Sequence, residues 1–208
     1  MPAVEIEDWP EITARAVAID GRGMQRLSVG YLESLIARLA DLKYNMLLLN
    51  LGDRFRFEKL GAGAGDLRIE DAVALSAFGR ARFVSVVPVF DSFGQMDDIL
   101  TEGYAHLRES PGDPSTIAPL NAATEKFLDD CAEEVSLAFT EPFYHFGGRG
   151  GEAVVWGGAA VLSRELVERE GPSALMAWHF EMLTTLARRR ARALFDLADR
   201  YGFVIAAD

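Results

Sequence analysis

Short apolar runs recur along this chain, and each is closed by glycine, aspartate or both. Ala16-Val17-Ala18-Ile19 leads into Asp20-Gly21, and Met46-Leu47-Leu48-Leu49 leads into Asn50 and then Gly52-Asp53. Val84 to Phe90 runs into Asp91-Ser92-Phe93-Gly94-Gln95. Phe143 to Phe146 runs into Gly147-Gly148-Arg149-Gly150-Gly151, and Phe203 to Ala207 ends on Asp208. Continuous apolar runs of this length fit strands buried on both faces. Longer stretches with helical periodicity separate them. Leu32, Leu35, Ile36, Leu39 and Leu42 recur at three- and four-residue steps behind Ser28, a good helix cap.

The pattern predicts further helices over Ile69–Arg82, Asp97–Arg108, Thr124–Phe139 and Ser163–Tyr201, the last with a stop and restart at Gly171-Pro172. Leu60 to Gly65 and Ser110 to Pro114 read as loops. Strand and helix in alternation build parallel sheets with crossover helices, so the expected class is α/β. The C-terminal ends of such strands share one face, and that face carries the site.

Charge narrows the partners. The chain has 21 Lys+Arg against 32 Asp+Glu, a net charge of −11. A nucleic-acid binder needs a positive field, so no nucleic-acid partner is expected. The Arg188-Arg189-Arg190 and Arg192 run reads as a solvated helix face, because consecutive helical residues point in different directions. Apolar runs are too short to cross a bilayer, so no membrane partner is expected. An acidic start without a basic, apolar leader makes the cytoplasm the expected compartment.

Several chemistries find no pattern here. There is no Gly-Lys-Ser/Thr phosphate loop, and the glycines at 61–65 follow no apolar strand. No Gly-x-Ser-x-Gly elbow is present, and the single Cys131 falls on the apolar stripe of a helix, as a core residue does. No Cys/His cluster suggests a metal, and no cofactor is expected. His106 and His179 fall in helical patterns and are expected to be part-exposed. His145 differs, lying within a strand just before the glycine turn, where a buried structural role and a site role stand level. Trp156 could stack on a ligand ring or simply pack.

Taken together, the motifs resemble glycoside hydrolase family 20, the β-N-acetylhexosaminidase (β/α)₈ barrels, and in particular a divergent bacterial branch. Arg15 to Asp20 is similar to the family's opening Arg-Gly-x-x-x-Asp strand. Leu39 to Leu47 resembles its helix-to-strand passage ending in Lys-Phe-Asn. Val87 to Met96 resembles the third-strand signature, and Phe143-Tyr144-His145-Phe146-Gly147-Gly148 the fourth-strand His-x-Gly-Gly-Asp-Glu. Tyr104 to Ser110 and Thr124 to Asp130 match the region between them.

This resemblance implies a partial TIM barrel, about five parallel strands with crossover helices, as one incomplete domain over 1–208. A whole barrel takes ~250 residues or more. The chain is therefore expected to be a C-terminally truncated and degenerate member, with open sheet edges needing cover or an oligomeric partner.

The family retains configuration through the substrate's own acetamido oxygen, which attacks the anomeric carbon. An Asp orients that group, and the adjacent Glu protonates the leaving oxygen. The resemblance thus implies a carbohydrate partner, a glycan with terminal N-acetylhexosamine. Carried over by position, Arg15 would hold sugar hydroxyls, while Asp91 and His145 would join the supporting hydrogen bonds. Gln95 stands where the family has His, and Asp208 where the fifth strand delivers a site residue.

Arg149-Gly150 stands where the family has Asp-Glu. Loss of a general acid removes ~3–5 kcal/mol of transition-state stabilisation. A cation ~4 Å from a developing cation costs ~4 kcal/mol more at an effective dielectric near 20. Glu152 is the one displaced acid close by. A glycosidase using Glu152, a non-catalytic carbohydrate binder with Arg149 in its site, and an inactive barrel fragment are the three readings left open.

Overall fold

Parallel strands in sequential order form the frame. The computed structural model describes residues 5, 7–22, 27–60, 65–141, 143–148, 150–151, 154, 158–189 and 193–195. Strands β1 (Ala16–Asp20), β2 (Met46–Asn50), β3 (Ser85–Val89), β6 (Phe143–His145) and β7 (Ala193–Phe195) lie side by side in that order. Every neighbouring pair is parallel. Strands β4 (Arg108–Ser110) and β5 (Asp113–Ile117) form a separate antiparallel hairpin inside the β3-to-β6 connection.

The crossovers follow the expected pattern. Helix α1 (Val29–Asp41) starts where the Ser28 hydroxyl accepts the Tyr31 N–H, and it buries Leu32, Ile36 and Leu39. Helix α2 (Ile69–Arg80) precedes β3. Helix α3 (Ala122–Ala138), capped by the Asn121 carbonyl on Ala123 N–H, buries Phe127, Leu128, Cys131 and Val135. Helices α4 (Arg164–Glu170) and α5 (Pro172–Arg189) follow β6. They are divided at Gly171, whose φ of +87° ends one helix just before Pro172 begins the next.

The sheet's two faces differ. Leu47, Leu49, Val86 and Tyr144 join the large core under the helices, whereas Met46, Leu48, Val87 and Val89 form a separate cluster on the opposite face. This is the alternation a pleated strand imposes. Each fully buried Leu or Ile contributes roughly 1.5–3 kcal/mol. Because both faces are apolar, both alternate sets of side chains are withdrawn from water along β2 and most of β3.

Three expectations change. The range Asp97–Arg108 holds a turn and a 3₁₀ segment at Glu102–Leu107 rather than an α-helix. Gly103 weakens helix there, and Tyr104 at φ −118° breaks it. Ser110 to Pro114 is a hairpin rather than an open loop, because Pro111-Gly112 supplies the tight turn between β4 and β5. The last helix stops at Arg189, not Tyr201, and β7 lies within the range read as helical. Arg188 and Arg189 occupy its last turn, where cations complement the helix C-terminus. The strand expected at Phe203–Asp208 and the loop at 61–64 lie outside the described residues. No helix among the described residues is long and apolar enough to cross a membrane.

Two buried carboxylates tie the connections to this frame. Glu134 on α3 accepts the Glu58 and Lys59 N–H groups at 2.6 and 2.9 Å, anchoring the segment after β2. Glu109 on β4 accepts Val161 N–H, Ser163 N–H and the Ser163 hydroxyl at 3.0, 2.7 and 2.9 Å, fixing the approach to α4.

Candidate active site at the strand ends

Strand register assembles the site. Asp20 pairs with Asn50, Asn50 with Val89, and Val89 with His145, so these residues form one rung at the C-terminal ends of β1, β2, β3 and β6. Being in register, they share a face of the sheet. There they line a concavity of about 220 Å³, with Ala18 and Leu48 next on the same face one pleat deeper.

Polar groups are fixed around that rung. Arg22, just beyond β1, grips Asp20 with Nε and Nη2 at 3.0 and 2.8 Å, one bond to each carboxylate oxygen. Its Nη1 lies 3.6 Å from the Asp91 carboxylate. The Asn50 amide donates to the same Asp91 oxygen at 3.0 Å and accepts the Gly52 N–H at 3.1 Å, which sets the orientation of its amide. The Asp20 hydrogen bond is the main reason the Arg22 pKa is raised above its ordinary value, and the Asp91 charge adds to it. Asp98 is displaced upward from the ordinary carboxylate range, first by burial and then by the charges of Asp53 and Asp97. The rim is therefore acidic, with one guanidinium bridging β1 and β3.

Two glycines make this approach possible. Gly52 has φ +45°, and a Cβ there would clash with the Arg22 side chain. Gly147 has φ +66°, and a Cβ there would clash with Asp91. Any other residue would push these charged groups out of place.

The fourth-strand end is set from beneath. His145 is buried, and its Nδ1 accepts the Gly147 N–H at 2.9 Å, which leaves the proton of the neutral ring on Nε2. The Ser92 hydroxyl donates to the Phe146 carbonyl at 2.7 Å and stands 3.4 Å from His179 Nε2 on α5. His179 is 0% exposed, which corrects the expectation of a part-exposed residue. It lies four residues from both Leu175 and Leu183, on the buried stripe of α5. Desolvation lowers its pKa from 6.5 to about 3, so the ring is neutral. Gln95 adopts φ +57° and is half-buried, packed against Gly150.

Of the residues expected at the site, Asp91 and His145 come together, each against Gly147, while Gln95 packs against Gly150. Arg15 does not. It precedes β1, at the opposite end of the strand, about 16 Å from Asp20 at ~3.3 Å per residue. Its Nε donates to the Lys43 carbonyl at 2.6 Å, and Nη1 turns to the Ile12 and Thr13 carbonyls. Arg149, Glu152, Trp156 and Asp208 lie outside the described residues. The guanidinium at the strand-end face is that of Arg22, which sequence reasoning passed over. The signal was present, since Arg22 directly follows a strand-closing Asp-Gly pair. Asn50 was visible only as a polar residue ending an apolar run.

No family model matches the chain. Beta-hexosaminidase A of Caenorhabditis elegans is 30% identical over 163 residues, covering 70% of this chain and 29% of that protein. Beta-hexosaminidase subunit beta of Sus scrofa is 28% identical over 163 residues, covering 69% of this chain and 30% of its own length. Among solved structures, the Flavobacterium johnsoniae chitobiase superposes with a TM-score of 0.78 at 21% identity, over 90% of this chain and 32% of that one. The exo beta-N-acetylglucosaminidase of Vibrio harveyi, solved with N-acetylglucosamine, gives 0.74 at 20% identity over 91% and 36%.

The chain is a relative of glycoside hydrolase family 20. It spans about 30% of the length of the curated relatives it matches. The sequential parallel strands are thus part of the family's TIM barrel, and the rung from Asp20 to His145 lies at the barrel's C-terminal face.

Proposed function

We propose that the strand-end concavity is a family 20-type glycoside hydrolase site that receives a terminal N-acetylhexosamine of a glycan. The observation that carries this reading is the Asp20–Arg22–Asp91–Asn50 array at the rung. Carboxylates accept and a guanidinium donates, so the array suits neighbouring sugar hydroxyls, each of which does both. The apolar wall of Ala18 and Leu48 suits the apolar face of a sugar ring.

Sequence divides binding from turnover. With Arg149-Gly150 at the position of the family's acid pair, binding without hydrolysis is the expected behaviour of this chain. The names of its relatives favour the second reading, hydrolysis with Glu152 as the acid.

Calorimetric titration with N-acetylglucosamine tests binding. Saturable heat at millimolar sugar supports the reading, and its absence overturns it. Release of nitrophenol from a nitrophenyl N-acetylglucosaminide, abolished by Glu152→Gln, would establish the second.

A further inference from the structure

We infer that His179 is a positioning residue, holding the ends of β3 and β6 in the spacing that the strand-end cleft requires. The inference rests on reading that cleft as a sugar site, and it adds a residue from outside the rung.

The argument starts from a single proton. The Ser92 hydroxyl has one to give and directs it to the Phe146 carbonyl at 2.7 Å. His179 Nε2, at 3.4 Å, can meet that oxygen only as a donor, which requires the Nε2–H tautomer of the neutral ring. Nδ1 is buried and has no hydrogen-bond partner among the described residues. An apolar side chain would fill this place without desolvating a ring nitrogen. The ring's polar contact is Ser92, through its backbone and through a hydroxyl that already bridges the two strand ends.

Position gives that bridge its consequence. Ser92 follows Asp91, and Phe146 lies between His145 and Gly147. The ladder contact from Phe90 N–H to the His145 carbonyl at 2.8 Å lies one step before the bridge. His179 therefore locks the step at which both strands leave the sheet, where Asp91 reaches the Asn50 amide and His145 lines the cleft. The ring is itself confined by Phe93 and Phe180, with centroids 5.2 and 6.2 Å away. Phe180 also supports Gly148, whose Cβ, if present, would sit 3.3 Å from the ring. Two adjacent residues of α5 thus brace the whole turn.

The test compares His179→Phe, which keeps an aromatic ring without a donor, with His179→Gln, which keeps an N–H. Backbone amide resonances of Phe146 and Gly147 are read first, because they need no ligand. His179→Phe is expected to shift both and to weaken N-acetylglucosamine binding about tenfold, the loss of one hydrogen bond's worth of ordering. His179→Gln is expected to restore the resonances and most of the affinity. Unchanged resonances in a folded His179→Phe, or no recovery in His179→Gln, overturn the inference. Should His179→Phe fail to fold, Ser92→Ala removes the bridge from the other side, and unchanged Phe146 and Gly147 signals there overturn it equally. If the unaltered chain binds no sugar, the functional reading falls, and the resonances alone decide the positioning role.

Discussion

Arg15 and Arg22 stand at opposite ends of one five-residue strand, and their surroundings differ in kind. The Arg15 guanidinium is spent on the carbonyls of Ile12, Thr13 and Lys43, all backbone acceptors at the N-terminal end. It stitches the entry to β1 onto the turn before β2. Arg22 is held by the carboxylates of Asp20 and Asp91 at the C-terminal end, where Asp20 lines the concavity. At the N-terminal end the Arg15 hydrogen bonds tie backbone to backbone. Carboxylates and a guanidinium gathered at one strand end are the acceptor and donor types that hydroxyls pair with. In a parallel sheet, identical residue types take structural or functional roles according to the strand end they occupy.

The largest expected effect that would break this contrast comes from Asp91→Ala. It removes the acceptor shared by Asn50 and Arg22, and we expect N-acetylglucosamine affinity to fall about 100-fold, or ~3 kcal/mol. Calorimetry on the folded variant checks it, and an affinity within threefold of the unaltered chain would dissolve the distinction between the two ends.

Acid comes next and probes the support beneath the site. His179 has a folded pKa of about 3 against 6.5 when unfolded, so between these values the unfolded chain binds the extra proton. Stability from this group is full above pH 6.5 and is lost as pH falls toward 3. From pH 7 to pH 5 the loss is about 2 kcal/mol. Urea titrations at both pH values should show that decrement shrinking in His179→Phe.

The smallest effect is the most diagnostic of the lower end. Arg15→Ala should cost about 1 kcal/mol of unfolding free energy through its lost hydrogen bonds, with sugar affinity unchanged. A tenfold loss of affinity would return Arg15 to the site.

Much of the fold was legible because local spacing encodes it. The periodicity of Leu32, Ile36 and Leu39 placed α1, and the division of α4 from α5 followed from Gly171-Pro172. The 3₁₀ stretch at Glu102–Leu107 was not legible, since its buried residues are placed by the surrounding core rather than by a repeat of their own. The site was half legible. Asp91 and His145 are legible as residues at the ends of apolar runs, whereas Gln95 rests on motif resemblance alone. Arg15 was carried to the site by a one-dimensional match that says nothing of which strand end a side chain serves. The burial of His179 is readable from its spacing to Leu175 and Leu183, but a polar residue in a helical pattern reads by type as a surface one.

By itself, the sequence determined the alternation of strand and helix, the faces those elements bury, and the strand ends at which polar residues gather. The physical reason is that periods of 2 and 3.6 residues are properties of the backbone. Only the tertiary structure decided that Asp20, Asn50 and His145 share a rung, that Arg22 spans Asp20 and Asp91, and that Ser92 meets His179. Those meetings depend on register between strands far apart in the chain, which is fixed when both sheet faces are packed and a slip of one residue would reverse them.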